Sequence, residues 1–509
     1  MSDALLEIIA QGAWNGGTPV DNSVYENKGM FFKGGVPANG EAIERRIGVR
    51  TRMAAPVDER IGVTALQDLL KTSGIDPSRI RVLIGATNIG EDKLDPGPVC
   101  RYTYDLVRGS CPQAMVFDLY AGCPGFNVSV EVLYVLSMTG LLKPGDLSII
   151  VGAENLHRAR PFKPLDTANI IFGDDALATA LETRGEVARS VNRPRQRSLF
   201  LEAGGDFVTR IAEGILDLCG KAGVDGIIVD NRLGKLLYRV PATAARVQHR
   251  LTELLYPEEA AAGTFRQFKE ALAFYDRSVR SFAYDIMSLE GTPGIVNRIA
   301  AAYVGSGKSR RVVSVYLTAD LQAEITLHEG EGIPRPRPGT GILDTLTRTH
   351  GCFTGYIEAV PHGEEVFGFM DGKGVFLHAT RGAKAHLSEL LDRNGLRLEE
   401  IDLLYEHQAN FAMIPLTLEQ LLGDGLQDSR RQAADFIARR MVCNIHLRGN
   451  CSIVCMQRLP YELELGSLRP DTVQGFAVNR QVDALREARM ILYDSVGAGM
   501  TRSSFLRRR

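Results

Sequence analysis

The chain has little that would force it into a specialised class. It holds a single tryptophan among 509 residues, and its 59 Lys and Arg nearly cancel its 61 Asp and Glu, leaving a formal net charge of −2. Without a basic excess there is no electrostatic footprint for nucleic acid. No apolar run reaches the length of a membrane span, and the opening segment carries Asp3 and Glu7 beside too short an apolar stretch for a secretory leader. A cytoplasmic protein without a membrane span is therefore expected. The eight cysteines form no Cys-x-x-Cys pair, and a chain of this length needs no disulfide framework. Cys451 and Cys455 lie one helical turn apart with no matching His or Cys pair nearby, so they read as core residues and no metal site is expected. Gly305-Ser306-Gly307-Lys308-Ser309 has the end of a phosphate loop, but that motif needs glycine at position 302, which is Ala302.

What is present is an ordinary globular composition, 45% hydrophobic and 24% charged, with material for about two to four domains. Cys123 is the most informative residue. It lies in Ala121-Gly122-Cys123-Pro124-Gly125-Phe126, between a strand-like run from Ala114 to Tyr120 and a long apolar helical pattern from Phe126 to Leu142. Proline is favoured at the first helical position, and a thiol at a helix N-terminus has its pKa lowered by the unpaired N–H groups and the helix dipole. A nucleophile follows from that placement. A buried, inert thiol, the usual state of a free cysteine, is equally compatible with the segment alone.

An internal repeat organises the rest. The run from Asp68 to Ile84 matches that from Glu389 to Tyr405 in constant register, with Gly74 opposite Gly395 and Ile80 opposite Ile401. Each copy reads as an amphipathic helix, a glycine stop and a short buried strand. Further on, Ala121-Gly122-Cys123 corresponds to Arg448-Gly449-Asn450, and late strands are expected at Asp146 to Ala153 and at Ala488 to Val496. A duplicated unit of alternating helices and buried strands predicts packed α/β layers. The domain reading is a first half over 1–185, an inserted subdomain over 186–310, and a second half over 311–509. Within the insert, Phe265, Phe268, Leu272, Tyr275, Val279, Phe282, Ile286 and Leu289 recur at three and four residues, the spacing of a buried helix face, with Thr264 and Gln267 as a capping box.

If the two halves pack about a pseudo-twofold axis, the turns at Cys123 and Asn450 approach each other. The strand end at Tyr405-Glu406-His407-Gln408-Ala409-Asn410 can then reach the same crevice, since sites in layered α/β folds collect at strand ends. His446 competes with His407 but does not end a repeat strand.

These segments carry a resemblance. Ala121 to Phe126, His407-Gln408-Ala409-Asn410 and Gly449-Asn450-Cys451-Ser452 resemble the three active-site motifs of the β-ketoacyl-(acyl carrier protein) synthase III enzymes of the thiolase superfamily. Arg46 to Arg50, Val151 to Glu154, Ile171 to Asp175 and Val496 to Met500 match in order. The resemblance covers about residues 1–185 and 310–509. It implies a five-layered αβαβα thiolase-like fold built from two pseudo-symmetric halves. The insert lies outside the resemblance and reads as a mainly helical α/β subdomain with a helix from Phe207 to Ala222 and a strand from Asp225 to Asp230, a candidate substrate cap or dimer element.

For chemistry, the resemblance implies an acyltransferase without a resident cofactor, using acyl-coenzyme A or acyl-carrier-protein thioesters. Cys123 would be acylated, and its backbone N–H and that of Ala498 would form the oxyanion hole. His407 and Asn450 would stabilise the enolate formed when a malonyl thioester loses carbon dioxide. Arg46, Val496, Gly497 and Gly499 would bind substrate, the loop from Glu91 to Pro98 would lie at the pocket mouth, and two chains would form a homodimer by edge-to-edge continuation of the central sheet.

The sequence also departs from the family pattern. Ala42 replaces the tryptophan that stacks on the coenzyme A adenine, Ala412 replaces an arginine tied to carrier-protein docking, and Val496 replaces an aromatic residue beside the acyl pocket. With the insert, these departures favour a specialised enzyme of fatty acid, polyketide or secondary metabolism. An acyltransferase delivering the acyl group to a hydroxyl or amine is the alternative, with His407 as general base. A non-catalytic partner subunit is disfavoured by the retained Cys123.

Overall fold

Short apolar runs flanked by amphipathic helices give the first sheet. The computed structural model describes residues 4–509 apart from 89–97, 186–191, 202–204, 233–239, 290–292, 332–337, 363–364 and 424–427. The first five strands of that sheet are β1 (Leu6–Ala13), β2 (Ile80–Ala86), β3 (Met115–Tyr120), β4 (Leu147–Glu154) and β5 (Asp175–Thr183). They pair in the order β1-β5-β4-β2-β3, with β2, β3 and β4 parallel and β5 antiparallel to both neighbours. Strands β2 to β5 are buried almost throughout, as expected of strands covered on both faces. Helices α1 (Ile61–Ser73) and α2 (Pro98–Val107) pack on the sheet's outer face, and α3 (Gly125–Met138) lies on the inner face with every residue buried.

The segment after residue 192 repeats this unit. Strands β6 (Arg193–Phe200), β7 (Gly226–Asn231), β8 (Phe282–Ser288), β9 (Arg311–Leu317) and β10 (Gln322–Glu329) pair in the equivalent order β6-β10-β9-β7-β8, with the same senses. Helices α4 (Phe207–Cys219), α5 (Thr243–Leu255) and α6 (Gly294–Gly305) occupy the chain positions of α1, α2 and α3. The segment read as a mainly helical insertion with one strand, found as β7, thus carries three strands among its helices, and two strands beyond residue 310 complete its sheet. The apolar stripe read as one helix face is divided in the structure. A helix covers Phe268–Phe274, a π turn covers Tyr275–Val279, and Arg280 turns the chain with a φ of 48° into β8. Phe282, Tyr284 and Ile286 alternate as strand residues, which the three-and-four spacing concealed. Thr264 opens a short 3-10 turn rather than a capping box.

The two units are joined by antiparallel pairing of β3 with β8, Tyr120 opposite Asp285 and Phe117 opposite Ser288, into one ten-stranded sheet. Helices α3 and α6 pack together beneath that junction. Lys308, the lysine of the discarded phosphate-loop motif, is buried there. Its Nζ lies 3.3 Å from Glu131 Oε2 on α3, the two side chains are 7% and 1% exposed, and Tyr303 on α6 donates to Glu131 Oε1 at 3.1 Å.

The third copy supplies the second sheet, β11 (Gly341–Thr349), β12 (Leu403–Glu406), β13 (Met490–Gly497) and β14 (Thr501–Arg508), in the order β11-β14-β13-β12. Its fifth position is reduced to a single bridge from Leu404 to Met441. Helix α7 (Ala383–Arg393) covers the outer face, and α8 (Cys455–Leu465) lies beside α3 between the sheets. The layers run α, β, α, β, α. Among the described residues, no helix is long and apolar enough to cross a membrane.

Sequence agrees with this threefold repetition. Gly122-Cys123-Pro124-Gly125 before α3 corresponds to Gly291-Thr292-Pro293-Gly294 before α6 and to Gly449-Asn450 in the third copy. Residues 290–292 lie outside the described part, so the match at Thr292 is one of sequence. The edge of β3, through which two chains could continue the first unit's sheet, is filled by β8 of the same chain. This removes the geometric basis of the expected homodimer at that edge.

Two outcomes follow. Light scattering should give the mass of one chain, 55.7 kDa, and a stable dimer at micromolar concentration would contradict it. Lys308→Ala, which strands Glu131 in the α3/α6 interface, should lower stability by about 3–5 kcal/mol in urea unfolding.

Candidate active site

The site begins where β3 ends. Gly122 adopts a φ of 72°, and its carbonyl accepts the N–H of Gly125, turning the chain at Cys123 into α3. The turn after β13 packs directly against it. A Cβ on Gly122 would lie 2.5 Å from the Ala498 nitrogen, and one on Gly497 would lie 2.3 Å from the Cys123 nitrogen. Only glycine allows this approach, which brings Cys123 and Ala498 together.

Both residues line an apolar cavity of about 130 Å³. Phe162 and Phe172, stacked 6.0 Å apart, form one wall. A hairpin of Ile357–His362 and Glu365–Met370 forms another. The second unit contributes Val240, whose carbonyl accepts the N–H of Ala359 in that hairpin at 2.7 Å. Neither the hairpin nor Val240 carried a sequence signal, because loops acquire their place only from tertiary packing.

The polar side of the cavity holds Asn88 and Ser452. Ser452, with a φ of 51°, donates its hydroxyl to Cys123 Sγ at 3.4 Å. Asn88 donates Nδ2 to Ser452 Oγ at 2.7 Å, and gives Nδ2 and its backbone N–H to Glu154 Oε1 at 2.7 and 2.9 Å. Ser452 and Glu154 stood in the sequence only as motif letters, and Asn88, on the loop after β2, was missed.

Asn450 is buried. Its backbone N–H donates to Ile171 O at 2.8 Å and its Oδ1 accepts the Ser452 N–H at 2.8 Å, leaving the amide NH2 as its donor. His407 directly follows β12, and its backbone N–H donates to Asp494 O on β13. Gln408 ties that strand end to the segment leading to Asn450, donating to Val442 O and accepting from the N–H groups of Asn444 and Ile445. The His407 ring is buried, and neither nitrogen has a partner among the described residues. The thiol of Cys123 hydrogen-bonds Ser452, and no hydrogen bond joins it to His407 or Asn450 among the described residues.

Electrostatics reverse one expectation. Burial pushes the Cys123 thiol up to about 12, the nearby Glu154 carboxylate adds to the rise, and the Ser452 hydrogen bond opposes it. Desolvation thus outweighs the helix N-terminus, and the resting group is a neutral thiol. Burial also holds His407 down at about 4, a neutral imidazole, and pushes Glu154 up to about 8 against its hydrogen bonds from Asn88.

Among the other residues singled out, Arg46 is exposed on the helix Gly40–Ile47, its guanidinium 5.2 Å from the Phe32 ring, and it does not line the cavity. Val496 is half-buried at the end of β13 and also outside the lining. Gly499 shapes the turn with a φ of 79°. His446 lies 3.3 Å from Asp471, and its Nδ1 is 3.8 Å from Cys443 Sγ. Of the mouth loop Glu91 to Pro98, residues 91–97 lie outside the described part.

No family model matches the chain. It is similar to the β-ketoacyl-[acyl-carrier-protein] synthase III of Citrobacter koseri, 31% identical over 155 residues, which is 30% of this chain and 46% of that protein. The corresponding protein of Nitratidesulfovibrio vulgaris strain DP4 is 35% identical over 161 residues, 31% of this chain and 42% of its own. The chain spans about half the length of the curated relatives it matches. Among solved structures, the synthase III of Thermus thermophilus superposes with a TM-score of 0.53 at 17% identity, covering 99% of both chains. The 3-oxoacyl-(acyl carrier protein) synthase III of Pseudomonas aeruginosa PAO1 gives 0.53 at 15% identity, covering 99% and 98%. The fold is therefore of the thiolase type, resembling the synthase III enzymes.

Gly497→Ala tests the packing of the two turns. The added methyl meets the Cys123 backbone, and such overpacking should cost about 1–3 kcal/mol in denaturant unfolding. Unchanged stability would show that the turns can separate freely.

Proposed function

We propose that the chain is a synthase III-type acyltransferase that carries an acyl group on Cys123 and condenses it with a malonyl-type thioester. The observation that carries this reading is the cysteine itself, set at a strand-to-helix turn on the wall of an apolar cavity with the Ala498 turn packed against its backbone. The apolar lining suits an acyl chain. Attack of the Cys123 sulfur on a thioester carbonyl expels the carrier thiol, while the N–H groups of Cys123 and Ala498 serve the developing oxyanion. Loss of carbon dioxide from a malonyl thioester then gives an enolate. The neutral His407 ring and the Asn450 amide are the donors assigned to its oxygen. Attack of the enolate carbon on the acyl-cysteine forms the carbon–carbon bond and frees the thiol.

The reading needs no resident cofactor. Its substrates are acyl and malonyl thioesters of coenzyme A or a carrier protein. The absence of tryptophan at Ala42 and of arginine at Ala412 supports a specialised enzyme with its own mode of carrier recognition.

Intact-mass screening of acyl thioesters should yield an adduct on the Cys123 peptide that Cys123→Ala abolishes. His407→Ala and Asn450→Ala should retain the adduct and slow malonyl decarboxylation by about a hundredfold to a thousandfold each. A wild-type protein that accepts no acyl group on Cys123 sinks the proposal. Product mass decides the acceptor, because a retained two-carbon unit marks condensation and a simple ester or amide marks transfer.

A further inference from the structure

We propose that Glu154 is the proton acceptor for the Cys123 thiol, reached through the hydroxyl of Ser452 and held in register by Asn88. The substrate chemistry rests on the acyl-cysteine reading, whereas the proton transfer itself does not require a thioester.

The geometry lines up the three groups. Cys123 Sγ is 3.4 Å from Ser452 Oγ, and Asn88 Nδ2 lies 2.7 Å from both that oxygen and Glu154 Oε1, which sets the serine hydroxyl beside the carboxylate. Asn88 clamps both ends, with one amide nitrogen on Ser452 Oγ and Glu154 Oε1 and its backbone N–H on the same carboxylate oxygen. Backbone constraints hold the serine. Its N–H donates to Asn450 Oδ1, and its φ of 51° lies in the left-handed region that a non-glycine residue adopts at a cost. Such a conformation survives only where the surroundings enforce it, and here it aims the hydroxyl at sulfur.

Glu154 ends β4 fully buried, and its Oε2 has no hydrogen-bond partner among the described residues. An ionised carboxylate in that position is costly unless paired. The groups facing it are Asn88 from the loop after β2, Ser452 from the third unit, Cys123 from the nucleophile turn, and Asp174 from the segment before β5. Asp174 raises its proton affinity, while Asp175, its register partner on β5, is taken up by Arg458 and Arg448. His407 is the other conceivable acceptor. It makes no hydrogen bond to Cys123, and burial leaves it a weak base near 4, whereas Glu154 near 8 suits a proton acceptor at working pH.

The step balances without any added reactant. Once the serine hydroxyl turns from sulfur to the carboxylate, the sulfur's proton passes to Ser452 Oγ as the serine's own proton passes to Glu154, so the negative charge moves from Glu154 to sulfur. The thiolate attacks the thioester carbonyl, the carbon–sulfur bond to the carrier breaks, and the departing thiolate recovers the proton from Glu154 through Ser452. Carboxylate, hydroxyl and neutral carrier thiol result. Glu154 acts through Ser452 and touches no substrate, so it is a positioning and proton-holding residue.

The test is the pH profile of iodoacetamide alkylation, read as modification of the Cys123 peptide in the full-length protein between pH 6 and 10. The wild type should rise to a plateau with its inflection near pH 8. Glu154→Gln should lose that inflection and alkylate at least about tenfold more slowly at pH 8, its thiol now ionising only into solvent. Ser452→Ala keeps the carboxyl but cuts the relay, and should show the same loss. It also decides the matter if Glu154→Gln fails to fold in a thermal melt. A wild-type profile in either folded variant, or faster alkylation from simple relief of charge repulsion, overturns the proposal. Because iodoacetamide is not a thioester, failure of the acyl-cysteine reading leaves this result standing. Conversely, equal thioester acylation of wild type and Glu154→Gln at every pH would sink the relay alone.

Discussion

The contact on which the rest of the site depends is the approach of two backbone turns, Gly122-Cys123 and Gly497-Ala498, at distances that exclude any Cβ on either glycine. The first turn belongs to the unit whose sheet covers one side of α3, and the second to the unit whose sheet covers the other. Their meeting fixes the separation of the two sheets at the point where the cysteine emerges. It also places the Ala498 peptide beside the sulfur without any long side chain, so the arrangement carries little conformational freedom to lose. The loops around it make up the rest of the cavity wall.

Much of this was legible in sequence for a specific reason. A repeated unit reports its own architecture, and the matches of Gly74 with Gly395 and Gly122 with Gly449 mark corresponding stops and turns. The late strands appeared as β4 and β13 within a residue or two of their expected bounds. The middle copy escaped because its signals are weak or mixed. Strand β6 is an exposed edge with arginines at 193, 195 and 197, which reads as loop, and β8 lies inside a stripe whose spacing suits a helix. The position that matches Cys123 holds Thr292, so the motif that identifies the first copy is absent. Asn88 and Val240 sit on loops, where local patterning says nothing about destination. The acidity of Cys123 was misjudged because the helix N-terminus is a local feature, whereas the desolvation that outweighs it comes from every unit at once.

The β3–β8 pairing gives the middle unit a role that its sequence does not announce. By occupying the sheet edge next to β3, it completes the sheet, and its Val240 reaches the cavity wall. The buried Glu131–Lys308 pair sits where α3 and α6 meet. A buried ion pair contributes little net stability, yet mispairing either partner is expensive, which favours one register of docking over others. The cavity is therefore shaped by contributions from all three units.

The electrostatic character of the site follows from that enclosure. Cys123 held near 12, His407 near 4 and Glu154 near 8 are all displaced toward their neutral forms by burial. A resting site of neutral groups avoids the cost of isolated charges in a low dielectric. The same dielectric strengthens whatever fixed donors face a charge that develops later. A site built this way gains more from donors that meet the transition state than from a pre-formed thiolate, because a permanent anion would have to be stabilised in every state of the protein. The ring nitrogens of His407, without a partner among the described residues, fit that logic, since neither is committed to another group in the resting site.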